Sequence, residues 1–277
     1  MDFLTAIYYF FISFVSGIIG TIGGVGSGIF VRPLLEMHGL TAYYASLFSS
    51  LAVFSMAITM AIKRARDIRA NVQMGIAIPI AIGSIIGGFL GNIIFRQVEM
   101  IDRVALVTGQ LIITMLVMGI LLLHQVFKAK IKPLNWKGAP TFLTLGIVLG
   151  MIAAFLGIGG GPLNLSSLNF FAGMGLQGAA IYSVFIISFT QGANLLRWGI
   201  QGLIGYYGTW GWPVVSVYLI LAVVIGSTVG SLIGTGIYGK IKASKKINSE
   251  NVLRWVYISV LISVMILTAV NFFFFRG

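Results

Sequence analysis

The chain of 277 residues contains no cysteine. That excludes a disulfide framework and any thiolate-held zinc or iron–sulfur centre. Histidine and acidic residues are scarce, at two and six respectively, so no metal site is expected. No catalytic residues are expected either. The apolar stretches hold no aspartate pair for an intramembrane protease, and neither His38 nor His124 is placed to serve Ser27 as a base. Charge is sparse, at 9% of residues against roughly 25% in a soluble domain. No G-x-x-x-x-G-K-[ST] run is present, so the chain carries no P-loop and no nucleotide cofactor is expected. The N-terminal stretch begins with Asp2 and lacks a basic region and a small-residue cleavage site, so it reads as a retained membrane segment and not a signal peptide.

What the chain has in abundance is hydrocarbon and glycine. Hydrophobic residues make up 58%, mean hydropathy is +1.02, and there are 36 glycines. This is the composition of an integral membrane protein, whose first partner is the lipid bilayer. The net charge of +12 does not point to nucleic acid. The basic residues gather in short loops between apolar segments, as Lys63, Arg64, Arg66 and Arg69, then Lys128, Lys130, Lys132 and Lys137, then Lys240, Lys242, Lys245, Lys246 and Arg254. Loops of this kind stay on the cytoplasmic side, so all three clusters are expected there.

A membrane-spanning helix needs about 20 apolar residues. Segments are predicted at 4–22, 28–38, 41–62, 72–95, 103–127, 139–157, 161–175, 178–198, 213–238 and 252–275. The two short ones each follow a glycine-rich break, Gly23-Gly24-Val25-Gly26-Ser27-Gly28 and Gly157-Ile158-Gly159-Gly160-Gly161. Clustered glycines stop a helix, and stopped backbone in a membrane must be buried in protein or line a cavity. With the basic loops on one side, parity makes 4–38 a hairpin entering from outside and 139–175 one entering from the cytoplasm. Both chain ends are then outside. Residues 1–127 form a first repeat, 128–138 a cytoplasmic linker and 139–277 a second repeat of opposite topology. The predicted fold is all-α and polytopic, two inverted repeats of one re-entrant or broken hairpin plus three transmembrane helices. Whether 4–22 crosses fully stays open at this point. Self-similarity supports the repeat. Gly24–Gly28 matches Gly157–Gly161 at an offset of 133, and Gly83–Gly91 matches Gly226–Gly234 at an offset of 143. The latter runs read as close helix packing.

The second arm of each hairpin starts at the tip, so its N-terminal N–H groups point into the membrane and suit an anion. Gly26, Ser27 and Gly28 on one tip and Gly159, Gly160 and Gly161 on the other are the expected backbone ligands, with Ser27 as a helix cap and Pro162 in a first turn. Arg32 lies about one turn into the first inner arm, where a charge is expensive and so a functional candidate; Glu36, four residues on, is its partner or a proton carrier. Asn164 is the preferred polar ligand of the second hairpin. Ser46 and Ser183, paired at an offset of 137, and Gln191 complete the expected site. Asn194 shares a face with Gln191, and Arg197 is expected to snorkel to the outer interface.

Across Gly20 to Leu35, with Arg32-Pro33-Leu34-Leu35, and across Gly157 to Pro162 and Ala179-Ala180-Ile181-Tyr182-Ser183, the sequence resembles the TauE/SafE family of sulfite and organosulfonate exporters. These are membrane permeases of bacteria, so the resemblance implies a multi-pass protein of the inner (plasma) membrane. It implies transport of a small anion such as sulfite, an organosulfonate or a small carboxylate. Ser27 departs from the family's usual all-glycine tip, and Arg32 stands where many members have an aliphatic residue. The expected function is a secondary transporter with a midplane site between the two tips, working by alternating access. An anion channel or facilitator on the same fold is the alternative. Coupling to H+ or Na+ is expected, and a homodimer stays open.

Overall fold

The computed structural model describes residues 3–204, 217–243 and 248–274. Residues 213–216 and 275 of the predicted segments, Lys245, Lys246 and both chain ends lie outside these. The described residues form helices α1 (Phe3–Gly23), α2 (Gly28–Met37), α3 (Ala42–Lys63), α4 (Ala65–Asn71), α5 (Met74–Ile101), α6 (Arg103–Val126), α7 (Ala139–Leu156), α8 (Gly161–Phe171), α9 (Leu176–Ile204), α10 (Val217–Ala243) and α11 (Ser249–Phe274). No strand occurs among them. Each predicted segment is a helix. The addition is α4, a short helix inside what the sequence suggested was a basic loop.

Eight of these helices are long and apolar enough to cross a membrane, α1 and α7 included. Their outward faces carry large exposed apolar side chains such as Phe89, Ile93, Leu116, Ile120, Trp255 and Ile266, as lipid contact requires. The 21 residues of α1 reach about 31 Å at 1.5 Å per residue. Its end nevertheless lies deep in the bundle, because β-carbons built on Gly26 and Gly159 would both come within 3.7 Å of Val53, halfway along α3.

The helices stop where left-handed backbone begins. Gly24 and Gly26 have φ of +67° and +86°, and Gly157, Gly159 and Gly160 have φ of +67°, +73° and +76°. Only glycine takes these values cheaply. Ser27 matches Gly160 by offset but has φ −74°, so the serine is accommodated because the backbone there is right-handed. Its side chain makes no capping bond, contrary to expectation, and its hydroxyl is buried without a partner. Pro162 does sit in the first turn of α8.

Glycine also sets the packing. A β-carbon on Gly83, Gly87 or Gly91 of α5 would strike the carbonyls of Leu143, Ile147 or Met151 on α7. On α10, Gly226, Gly230 and Gly234 would meet those of Phe10, Phe14 and Ile18 on α1. Both lists ascend together, so each pair runs parallel. These three α5–α7 contacts map onto the three α10–α1 contacts by the offsets of 143 and 133 found in the sequence. The α3–α9 register is fixed by Ser49 and Ser183, which donate to the carbonyls of Gly28 (3.3 Å) and Gly161 (3.4 Å). The hydroxyl equivalent to Ser183 is therefore Ser49, not Ser46.

The three basic clusters meet at one end of the bundle. Lys242 pairs with Asp67 at 3.0 Å, Lys128 lies 3.6 Å from Glu250, and Arg254 donates to the Gln125 carbonyl at the end of α6. Glu250 also accepts from the N–H of Leu176, placing a carboxylate at the positive start of α9.

Candidate functional site

The two tips touch. A β-carbon on Gly161 would overlap the Val25 carbonyl, and one on Gly24 would meet the Ala180 side chain. Beside the second tip lies a cavity of about 80 Å³ between α3, α5, α7 and α9. At roughly 10–15 Å³ for a water, that is space for several waters or one small oxyanion. Ser46 near the start of α3 and Arg197 near the end of α9 line it at the side away from the basic clusters.

The floor of the cavity is broken backbone, Gly157, Gly159 and Gly160, with Asn164 from the first turn of α8. The walls carry Ser46, Ser49 and Ser50 of α3, Ser84 and Asn92 of α5, and Thr190, Gln191, Asn194 and Arg197 of α9. Of the described residues lining it, Arg197 alone is charged. Asn194 orients the guanidinium, accepting from Nη2 at 2.9 Å and Nε at 3.3 Å, and itself donates to Ser50 Oγ at 2.7 Å. Gln191 Oε1 and Ser84 Oγ are buried without a hydrogen-bond partner. Buried polar atoms are nearly always paired, so these two are placed for something that enters the cavity.

Among the predicted site residues, Ser46, Gly159, Gly160, Asn164 and Gln191 line this cavity. Gly26, Ser27, Gly28, Gly161 and Ser183 do not; they pack the two tips against each other and against α3 and α9. Arg32 and Glu36 face a separate cavity of about 40 Å³ behind the second tip, between α2, α6 and α11. Arg32 Nε binds Glu36 Oε1 at 2.7 Å, and its Nη1 donates to the Leu156 carbonyl at 3.3 Å. The neighbouring carbonyl of Phe155 accepts from Gln110 Nε2. The C-terminal carbonyls of α7, which carry the negative end of the helix dipole, are thus neutralised from behind. Of the floor, Gly157 lies against the Arg32 guanidinium.

The sequence reading missed Asn92, Ser84 and the inward placement of Arg197. The spacing of Gln191 and Asn194 was a signal for Arg197, which follows Asn194 by three residues on the same helix face.

A family model described as Sulfite exporter TauE/SafE matches residues 9–268. A search of curated proteins gives no match.

Proposed function

The chain belongs to the sulfite exporter TauE/SafE family, a family of membrane transporters, and from that premise we propose that it is a secondary transporter of a small anion bound in the Arg197 cavity. The carrying observation is the charge of that cavity. Among the described residues lining it, Arg197 is the one cation and none is a carboxylate, and the broken backbone beneath offers α8 N–H groups that favour an anion. Asn164, Gln191, Ser46 and Asn92 supply neutral hydrogen bonds, which suits an oxyanion such as sulfite, a sulfonate or a short carboxylate.

The two halves act as inverted repeats, and the equivalent α1–α10 and α5–α7 packing supports that reading. The basic face is cytoplasmic by the distribution of lysine and arginine, and we read the cavity, whose Arg197 lies away from that face, as outward-facing. Rocking of the halves would expose the same site to the cytoplasm. Glu36 is where a coupling proton would act. It pairs with Arg32, whose Nη1 donates to the Leu156 carbonyl at the end of α7, next to the Gly157 floor.

Reconstitution tests this. Proteoliposomes should show saturable flux of at least one of sulfite, methanesulfonate and acetate. Arg197→Ala should weaken the apparent affinity at least tenfold, and Arg197→Lys should retain part of it. Unchanged affinity in Arg197→Ala removes the proposed site.

A further inference from the structure

The residues that α5 presents to the open cavity have counterparts on α10. At the offset of 143, Ser84, Gly88 and Asn92 correspond to Ser227, Ser231 and Thr235. The counterparts are packed shut. Ser227 and Ser231 are fully buried and donate to the carbonyls of Ala52 and Met56 on α3. Thr21 of α1 donates to Ser231 Oγ at 3.1 Å, and Thr235 Oγ1 is buried with no partner. A polar column therefore runs along α10 toward the basic face, its hydroxyls of Ser227 and Ser231 held by carbonyls of α3.

Arg64 closes the column. It is 5% exposed, with its guanidinium 3.7 Å from the centre of the Tyr238 ring. Nη2 makes one long bond to the Thr21 carbonyl, at 3.4 Å, while Nε and Nη1 have no partner. A buried guanidinium with most of its donors unused and no bonded carboxylate is costly. The same donors would be satisfied by an oxyanion. Register points the same way. Ser49 and Ser183 occupy equivalent places, and counting on from them brings Arg64 and Arg197 within one position of equivalence.

We infer that Arg64 is the counterpart of Arg197 on the cytoplasmic half of the path: a second residue for the same small oxyanion, masked by Tyr238 in this conformer. This rests on the transport reading above. When the basic-face mouth opens, Tyr238 swings off the guanidinium and Arg64 receives the anion released from the cavity.

The chain lacks cysteine, so single cysteines report without background. Full-length Thr235→Cys is labelled in membrane vesicles of both orientations with two methanethiosulfonates, one ending in a sulfonate and one in a quaternary ammonium. Labelling should proceed from the basic face, and adding Tyr238→Ala should speed it at least tenfold. In that background the sulfonate reagent should be preferred. Arg64→Gln should lower the sulfonate-to-ammonium rate ratio at least fivefold, and Arg64→Lys should restore most of it. The ratio is taken within one preparation, so differences in folded yield cancel. A ratio indifferent to Arg64→Gln overturns the inference, as does labelling that Tyr238→Ala leaves unchanged. Asn92→Cys with and without Arg197→Gln separates the two claims. Arg197-dependent selectivity there, with no Arg64 dependence at Thr235, sinks this inference and leaves the cavity standing. No Arg197 dependence at Asn92 sinks the cavity itself.

Discussion

Arg32 shows how a buried charge can serve a site without facing it. Its side chain is 9% exposed and that of Glu36 is 22% exposed, so the pair is largely removed from water. Taking one partner from such a pair leaves the other uncompensated, at about 3–5 kcal/mol, whereas replacing both by apolar residues is often neutral. Arg32→Met should therefore lower the thermal midpoint of the purified protein markedly, by freeing both Glu36 and the Leu156 carbonyl. Arg32→Met combined with Glu36→Met should recover most of the loss. If the double variant is no more stable than the single one, the ion pair is not what Arg32 contributes. Arg197 differs on this point, because its side chain lines the cavity, where Asn194 accepts from its guanidinium. Its replacement should act on anion affinity with little change in midpoint, so the two arginines separate by readout.

Among the helices, contact distance is set by glycine. A β-carbon on Gly230 would enter the Phe14 carbonyl of α1, while one on Gly236 of the same helix meets nothing within 4 Å. Overpacking of this kind costs about 1–3 kcal/mol, against a helix-propensity gain of roughly 1 kcal/mol for glycine to alanine. Gly230→Ala should therefore lower the detergent-solubilised melting temperature, and Gly236→Ala should leave it equal or slightly higher. Equal effects at the two positions would show that α1–α10 packing does not depend on close approach. These glycine runs and the two breaks were legible in the sequence because each depends on one residue type, glycine, taking a backbone angle or a contact no other residue can. The placement of polar side chains was not. Segment 178–198 made Arg197 look terminal, but α9 continues to Ile204, so the arginine lies inside the helix and faces inward. Ser84 and Asn92 sit within or beside a run read as scaffold; its other face lines the cavity. Helix α4 was missed because Ala65–Asn71 is short and carries Arg66, Asp67 and Arg69, leaving little apolar periodicity to read.

For the molecule as a whole, the decisive question is the sense of the repeat. Two halves with equivalent contacts can be related by an axis in the membrane plane or along its normal, and the proposed pairing of Arg197 with Arg64 on opposite halves of one path needs the former. The loops after the two short helices discriminate. His38 follows α2 and is exposed, and Met174 follows α8. The Met174 region belongs to the basic end, since Leu176 N–H bonds Glu250, which lies 3.6 Å from Lys128. His38 lies at the other end, stacked on Tyr8 near the start of α1 with ring centres 4.6 Å apart. Single cysteines at these two positions, in a chain with none of its own, should react with an impermeant thiol reagent from opposite sides of the membrane: His38→Cys from outside and Met174→Cys from the cytoplasm. Reaction of both from one side would make the repeats parallel. The inverted-repeat reading would then fall, and with it the placement of Arg64 as the counterpart of Arg197.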